Sequence, residues 1–388
     1  MRFSPRVDRI SGDGYDAWVT HYQAVAARGR GEDVIVLSIG DPALESPPAV
    51  IDRAVDCLRA GDLRYTPASG RRPLLEAIAS LHTARTGQAV SAENVVYLAG
   101  AQNALFVAVM CVAGAGDEVI TLDPMYATYP ATIEVSGARM VRAATGAGFR
   151  PDIREIESLV TPRTRAIVWA TPANPSGVII NQAELNAVGE IARHHDLWVI
   201  SDEVYAGLAP GGRVPSLAAT LPERVMTISG LSKSHSMPGL RAGWLVGPRE
   251  LAKHAEALAM CMLFGLPGFI QEAAIAALSV AAEAENRIRE FCSARRDRLL
   301  AGLQGIPGIR PMVPEAGMFM LVDVSDTGLS AAEFARALYQ RERVSVMDGA
   351  AFGKRTSNFV RICFATEEAT IDAACARIRR FCEKSLPR

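Results

Sequence analysis

Between residues 93 and 246, short apolar runs alternate with amphipathic stretches. The runs at 94–98, 119–122, 166–170, 197–201, 225–229 and 242–246 have the length and turn-like flanks of strands. Residues 102–112 and 182–194 carry the helical apolar period between them. Gly116-Asp117 and Gly137 break the pattern where turns are needed. This alternation predicts an α/β unit on a mostly parallel sheet. Upstream, the pattern predicts helices over 17–27, 48–60 and 72–86, with a short strand from Val34 broken by Gly40-Asp41-Pro42. Downstream, a long charge-laced helix over 282–302 reads as a bridge between two lobes. Strands at 318–324 and 359–364 and helices at 331–341 and 371–384 predict a smaller second α/β lobe.

Three polar motifs fall just after predicted strands. They are Pro172-Ala173-Asn174-Pro175-Ser176-Gly177, Ser201-Asp202-Glu203-Val204-Tyr205, and the Ser/Gly-rich turn that holds Lys233. In open parallel sheets, ligands bind outside the carboxyl ends of strands, so the three motifs point to one site. Taken singly, the first could be an ordinary turn and Asp202 an ordinary helix cap. Their order, with Arg241 eight residues beyond Lys233, is what makes a set of them. Only four of the 41 basic residues are lysines: Lys233, Lys253, Lys354 and Lys384. Arginine stays protonated, whereas a desolvated lysine can lose its proton and attack a carbonyl.

Composition narrows the function classes. The chain has 388 residues, 49% of them hydrophobic, and a formal net charge of −1. That predicts two or three lobes with a sizeable core. No long basic run favours nucleic acid or an anionic membrane as a partner. The longest apolar runs are too short to span a bilayer, and Met1 to Arg6 has no signal-peptide core. The seven cysteines are scattered with no Cys-x-x-Cys, which reads as reduced thiols in a cytoplasmic protein. Six histidines without ligand spacing predict no metal site. Neither a strand-linked Gly-x-Gly-x-x-Gly nor a P-loop is present, which argues against a nucleotide-binding dehydrogenase.

The motif order resembles the fold-type I pyridoxal phosphate (PLP) enzymes, specifically class I aminotransferases, from Arg9 to Ile378. Arg9-Ile-Ser-Gly-Asp-Gly, Leu37-Ser-Ile-Gly-Asp-Pro, Leu98-Ala-Gly-Ala-Gln, Ser232-Lys-Ser-His and Cys261-Met-Leu-Phe-Gly are most similar to the arginine–pyruvate transaminases. The resemblance implies a large PLP domain with a mostly parallel seven-stranded sheet over 46–285. It also implies an N-terminal arm over 1–45 and a small α/β domain over 286–388. Lys233 becomes the Schiff-base lysine and proton carrier, and Asp202 the partner of the pyridine nitrogen. Asn174 and Tyr205 become ligands of the 3′-oxygen, and Tyr126 the stacking aromatic, although a core role for Tyr126 stays open. Gly100, Ala101, Gln102, Ser232 and Arg241 form the phosphate shell. Tyr65 reaches the phosphate of a neighbouring subunit, which implies a homodimer with shared sites. Arg361 grips the substrate α-carboxylate, with Gly40 and Asn174 beside it.

One departure is visible: many relatives have serine three residues before the lysine, where this chain has Gly230. The expected activity is ping-pong transfer of an amino group from an L-amino acid to a 2-oxo acid. Arginine or a related basic amino acid is the favoured donor and pyruvate the acceptor. A cationic donor needs a carboxylate, for which Asp13 is favoured over Asp16, although a solvated loop aspartate fits it equally. Transamination of neutral or aromatic amino acids, or carbon–sulfur β-lyase chemistry, is the alternative.

Overall fold

The computed structural model describes Phe3, Ser4, Val7, Ile10 and residues 15–385. Among the described residues the largest sheet has seven strands in the order β2-β8-β7-β6-β5-β3-β4. These are β2 (Val95–Ala99), β3 (Glu118–Asp123), β4 (Arg139–Ala144), β5 (Thr164–Ala170), β6 (Trp198–Asp202), β7 (Val225–Gly230) and β8 (Ala242–Val246). Strands β4, β3, β5, β6 and β7 pair in parallel, while β8 runs antiparallel to β7 and β2. Both faces are covered, as parallel sheets require. Val119, Ala166 and Val168 pack with the helix Ala101–Val112 on one side. Ile120, Ile167 and Trp169 pack with the helix Gln182–His194 on the other.

Local chemistry sets several element ends. Asn181 accepts from the Glu184 N–H at 3.0 Å, and Glu184 accepts from the Asn181 N–H at 2.8 Å. This reciprocal cap starts the helix Gln182–His194. Ser330 and Glu333 start the helix Ala331–Glu342 in the same way. Gly87, in the left-handed region, ends the helix Arg72–Thr86.

The sequence pattern missed the edge strand β4. Its residues, Arg-Met-Val-Arg-Ala-Ala, carry two arginines, and only Ala143 is buried. A half-exposed edge shows no apolar run, and charge there discourages pairing with another chain.

The second lobe holds an antiparallel sheet ordered β12-β13-β10-β9. Its strands are β9 (Arg310–Met312), β10 (Phe319–Asp323), β12 (Met347–Asp348) and β13 (Phe359–Cys363). Near the N-terminus, β1 (Ile35–Val36) pairs in parallel with β11 (Val344–Ser345). This joins residues more than 300 positions apart and places the 38–40 segment beside the second lobe. The helix Ala281–Leu303 adds Ile288, Cys292 and Leu299 to a core shared with Tyr205, Leu208 and Phe334. That shared core joins the two lobes.

Candidate active site

Because β5, β6 and β7 are parallel neighbours, their carboxyl ends lie side by side. Asn174, Asp202 and Lys233 therefore line one cavity of ≈ 130 Å3, together with Gln102, Tyr126, Tyr205, Ser232 and Arg241.

Lys233 sits on a four-residue helical turn, Leu231–Ser234, directly after β7. Its Nζ donates to the Gly40 carbonyl at 2.5 Å. Burial lowers the amine's pKa; Arg361 and Arg241 act in the same direction, while Asp41 opposes them. The neutral, nucleophilic amine is thereby more accessible than in a free lysine.

Asp202 ends β6 and is buried. The Tyr129 hydroxyl donates to its Oδ2 at 3.1 Å, and the Val204 N–H to its Oδ1 at 3.2 Å. Burial pushes the carboxyl up to about 6, against the pull of these two donors. Tyr126 meets the Tyr129 ring edge-on, with centroids 5.9 Å apart. The sequence assigned no site role to Tyr129. Its contact with Asp202, 73 residues away, leaves no local pattern to read.

Gly100 precedes the helix Ala101–Val112, whose first residues Ala101 and Gln102 line the cavity. The first N–H groups of a helix have no intrahelical partner and attract anions. Gly100 has φ +85°, and a Cβ there would collide with the Arg241 guanidinium, so only glycine lets the arginine approach. Arg241 donates to the Pro238 carbonyl at 2.9 Å and the Ala99 carbonyl at 3.2 Å. The Gln102 side chain is tied down by Thr128 and Thr132, so its backbone is the part offered to a ligand.

Arg361, on β13, comes from the second lobe and is 3% exposed. One guanidinium nitrogen donates to Asn174 Oδ1 at 2.9 Å, the other to the Ser38 carbonyl at 2.7 Å. Its Nε–H is buried with no partner among the described residues. The rings of Phe319 and Phe352 lie 3.9 and 4.5 Å from its central carbon. Burial lowers its pKa to about 10, so it remains a cation at neutral pH. A desolvated guanidinium with an unpartnered N–H is a strong carboxylate ligand.

Residues 32–378 match the family model for aminotransferase class I and II. The chain is 45% identical to arginine–pyruvate transaminase AruH of Pseudomonas aeruginosa over 97% of each chain. It is 31% identical to the aspartate aminotransferase of Bacillus subtilis over 93% of this chain and 94% of that one. Thermus thermophilus aspartate aminotransferase, solved with maleate, superposes with a TM-score of 0.92. It has 30% identity and covers 98% of this chain and 100% of its own. The chain belongs to the class I and II aminotransferases.

Enzymes of this family use pyridoxal 5′-phosphate and act on amino acids and 2-oxo acids. The aminotransferase's residues fit that cofactor. Asp202 is a buried carboxylate that a cation would stabilise, and a protonated ring nitrogen is such a cation. Arg241 and the N-terminus of the helix from Ala101 suit a phosphate dianion. In the same cavity, the Lys233 amine suits an aldehyde carbon.

The structure also gives a reason for Gly230. Its φ is 176°, which any residue adopts, but a Cβ would lie 2.7 Å from the Ala242 carbonyl oxygen and 3.1 Å from Gly243 Cα. The adjacent strand is too close for serine in this aminotransferase. Tyr65 is 88% exposed and packs against Phe264, centroids 5.0 Å apart, away from this chain's own cavity. Asp13 lies outside the described residues, as does the side chain of Asp16.

Proposed function

We propose that this aminotransferase takes the amino group of a basic L-amino acid, with arginine favoured, and delivers it to a 2-oxo acid such as pyruvate. The observation that carries the donor is the likeness, over nearly the whole chain, to the P. aeruginosa arginine–pyruvate transaminase. Asp13 is proposed as the carboxylate that meets the donor's cationic side chain. The chain is read as an arm over 1–45, a PLP-binding domain over 46–285 and a small domain over 286–388.

Arg361 binds the α-carboxylate of either substrate through a charge-assisted fork, supported by Asn174, Gly40 and the flanking Phe319 and Phe352 rings. Anchoring the carboxylate fixes which Cα bond faces the base. Lys233, low in pKa through burial, takes the proton from Cα of the donor and, in the second half of the cycle, gives a proton to Cα of the acceptor-derived product. When bound, PLP supplies an aldehyde for the amino group and a ring that accepts electrons from Cα. Asp202, held by Tyr129, stabilises positive charge at the ring nitrogen. Asn174 and Tyr205 would hold the 3′-oxygen, and Tyr126 would cover the ring. Gly100, Ala101, Gln102, Ser232 and Arg241 hold the phosphate.

The reading is tested by mixing PLP-loaded enzyme with single amino acids and following the visible absorbance. Arginine is expected to change the spectrum rapidly. No change with arginine but a rapid one with a neutral or aromatic amino acid would replace the donor while keeping the family.

The active form is proposed to be a homodimer in which Tyr65 serves the partner's phosphate site. The exposure of Tyr65, in a chain whose other predicted ligands are gathered inside, supports this. Tyr65→Ala and Lys233→Ala, each weak alone, should regain activity when refolded together, because each hybrid then holds one intact site. Absence of recovery in a proven hybrid would refute the shared site.

A further inference from the structure

The three residues Ser38, Ile39 and Gly40 connect the two cations of the site. The Ser38 carbonyl accepts from Arg361 at 2.7 Å, and the Gly40 carbonyl accepts from Lys233 at 2.5 Å. This short segment therefore contacts both side chains. No regular sheet holds it, since β1 ends at Val36. Leu37, just before it, donates to the Ser345 carbonyl and accepts from the Cys363 N–H, both at 2.8 Å, and a buried polar chain adds to these backbone bonds. His21 Nδ1 lies 2.8 Å from Ser38 Oγ, and Ser345 Oγ donates to the same oxygen at 3.0 Å. All three residues are buried. They come from three separate pieces of the fold: the helix Tyr15–Gly29, the 38–40 segment and β11.

The donor arithmetic is consistent. Ser345 donates to Ser38, so the Ser38 hydroxyl proton is free to go to His21 Nδ1. That requires neutral imidazole. Burial favours the neutral form, and the Arg361 and Arg28 charges favour it further. The same helix face carries Trp18, whose ring meets that of His21 edge-on at 5.7 Å and packs against Met347, Ala351 and Phe352. Phe352 is one of the two rings against Arg361. The helix thus touches the supports of Arg361 through both a ring and a hydrogen bond.

We propose that His21 is a positioning residue for substrate binding: through Ser38 it fixes the peptide carbonyl that orients Arg361 for the incoming carboxylate. The proposal rests on reading Arg361 as the carboxylate ligand. A residue that only fills space would affect stability without a selective effect on carboxylate affinity. A positioning residue should weaken affinity for any carboxylate and leave turnover at saturation nearly intact.

The test uses PLP-loaded enzyme and propionate, a carboxylate without an amino group, with binding read from the visible spectrum. His21→Ala is expected to weaken propionate and raise the donor KM together, each about 10-fold, with kcat within about twofold. His21→Asn keeps a polar atom near Nδ1 and should recover most of the loss. Ser345→Ala should shift both constants in the same direction, and it carries the test if His21→Ala does not fold. Unchanged propionate affinity in both alanine variants, or equal defects in His21→Ala and His21→Asn, would overturn the proposal. Arg361→Lys separates the two readings. If it binds propionate as wild type does, the carboxylate assignment of Arg361 fails. If it loses binding while His21→Ala does not, only the positioning role fails.

Discussion

Arg361 and Asn174, 187 positions apart, meet through a 2.9 Å hydrogen bond that crosses from the second lobe to the end of β5. The bond joins the proposed carboxylate ligand to a proposed cofactor ligand. Both residues are buried.

Arg361→Lys should lower kcat/KM by about 100-fold or more. Lysine is a point charge that can neither form the fork nor stack between Phe319 and Phe352. Steady-state kinetics with donor and acceptor varied separately will check this. Both KM values should rise, since both substrates carry the carboxylate.

Lys233→Arg should reduce turnover by at least about 1,000-fold, within the roughly 100- to 10,000-fold range for loss of a positioned base. Arginine keeps the charge but cannot give up its proton in a protein. Single-turnover absorbance with a good donor will read the loss. A variant within tenfold of wild type would remove Lys233 from the proton transfer.

Tyr129→Phe removes one of the two donors that hold Asp202 as a carboxylate. The folded-state pKa, already pushed up by burial, rises further without it. The carboxylate is then lost at a higher pH on descent. The acid limb of the kcat/KM profile should therefore move upward by up to about one pH unit. An unmoved limb would show that the Tyr129 bond does not tune Asp202.

Glu203 is fully buried beside Ser201 and Ser216, whose hydroxyls lie 3.0 and 3.3 Å from its Oε1. Burial pushes its carboxyl up to about 7, against both bonds. A raised carboxyl means the folded state holds its proton after the unfolded state has released it. Stability is then lost as pH rises from about 4.5 to 7, by ~3 kcal/mol at most. Glu203→Gln should flatten that part of the stability profile in denaturant titrations. The same slope in both proteins would show that Glu203 is not its source.

Gly230→Ser should destabilise the fold by about 1–3 kcal/mol, because its Cβ presses on the Ala242 carbonyl and Gly243. Thermal unfolding will read this. A stable variant with tighter PLP binding would show that β8 yields and that the phosphate shell accepts another hydroxyl.

Several site features were legible in the chain because they are local. Asn174, Asp202 and Lys233 each follow an apolar run, and parallel neighbours bring such positions together without further information. Strand β4 was not legible, because an edge strand with two arginines has no apolar signature. Tyr129, Ser38 and His21 were not legible either. Their roles consist of contacts with residues 73, 323 and 17 positions away, and no spacing rule marks such pairs.

The sequence by itself determined the layered α/β plan, the order of the motifs and the chemistry of the lysine turn. Apolar periodicity and turn residues act over a few positions, and the scarcity of lysine in this chain singled out Lys233. Only the tertiary structure decided how that lysine is tuned and where it rests. Desolvation of Lys233 and Arg361, and the two carbonyls of the 38–40 segment that hold them, arise when the lobes and the N-terminal helix close on one another. Burial and long-range hydrogen bonds are properties of the packed chain, so they exist only after folding.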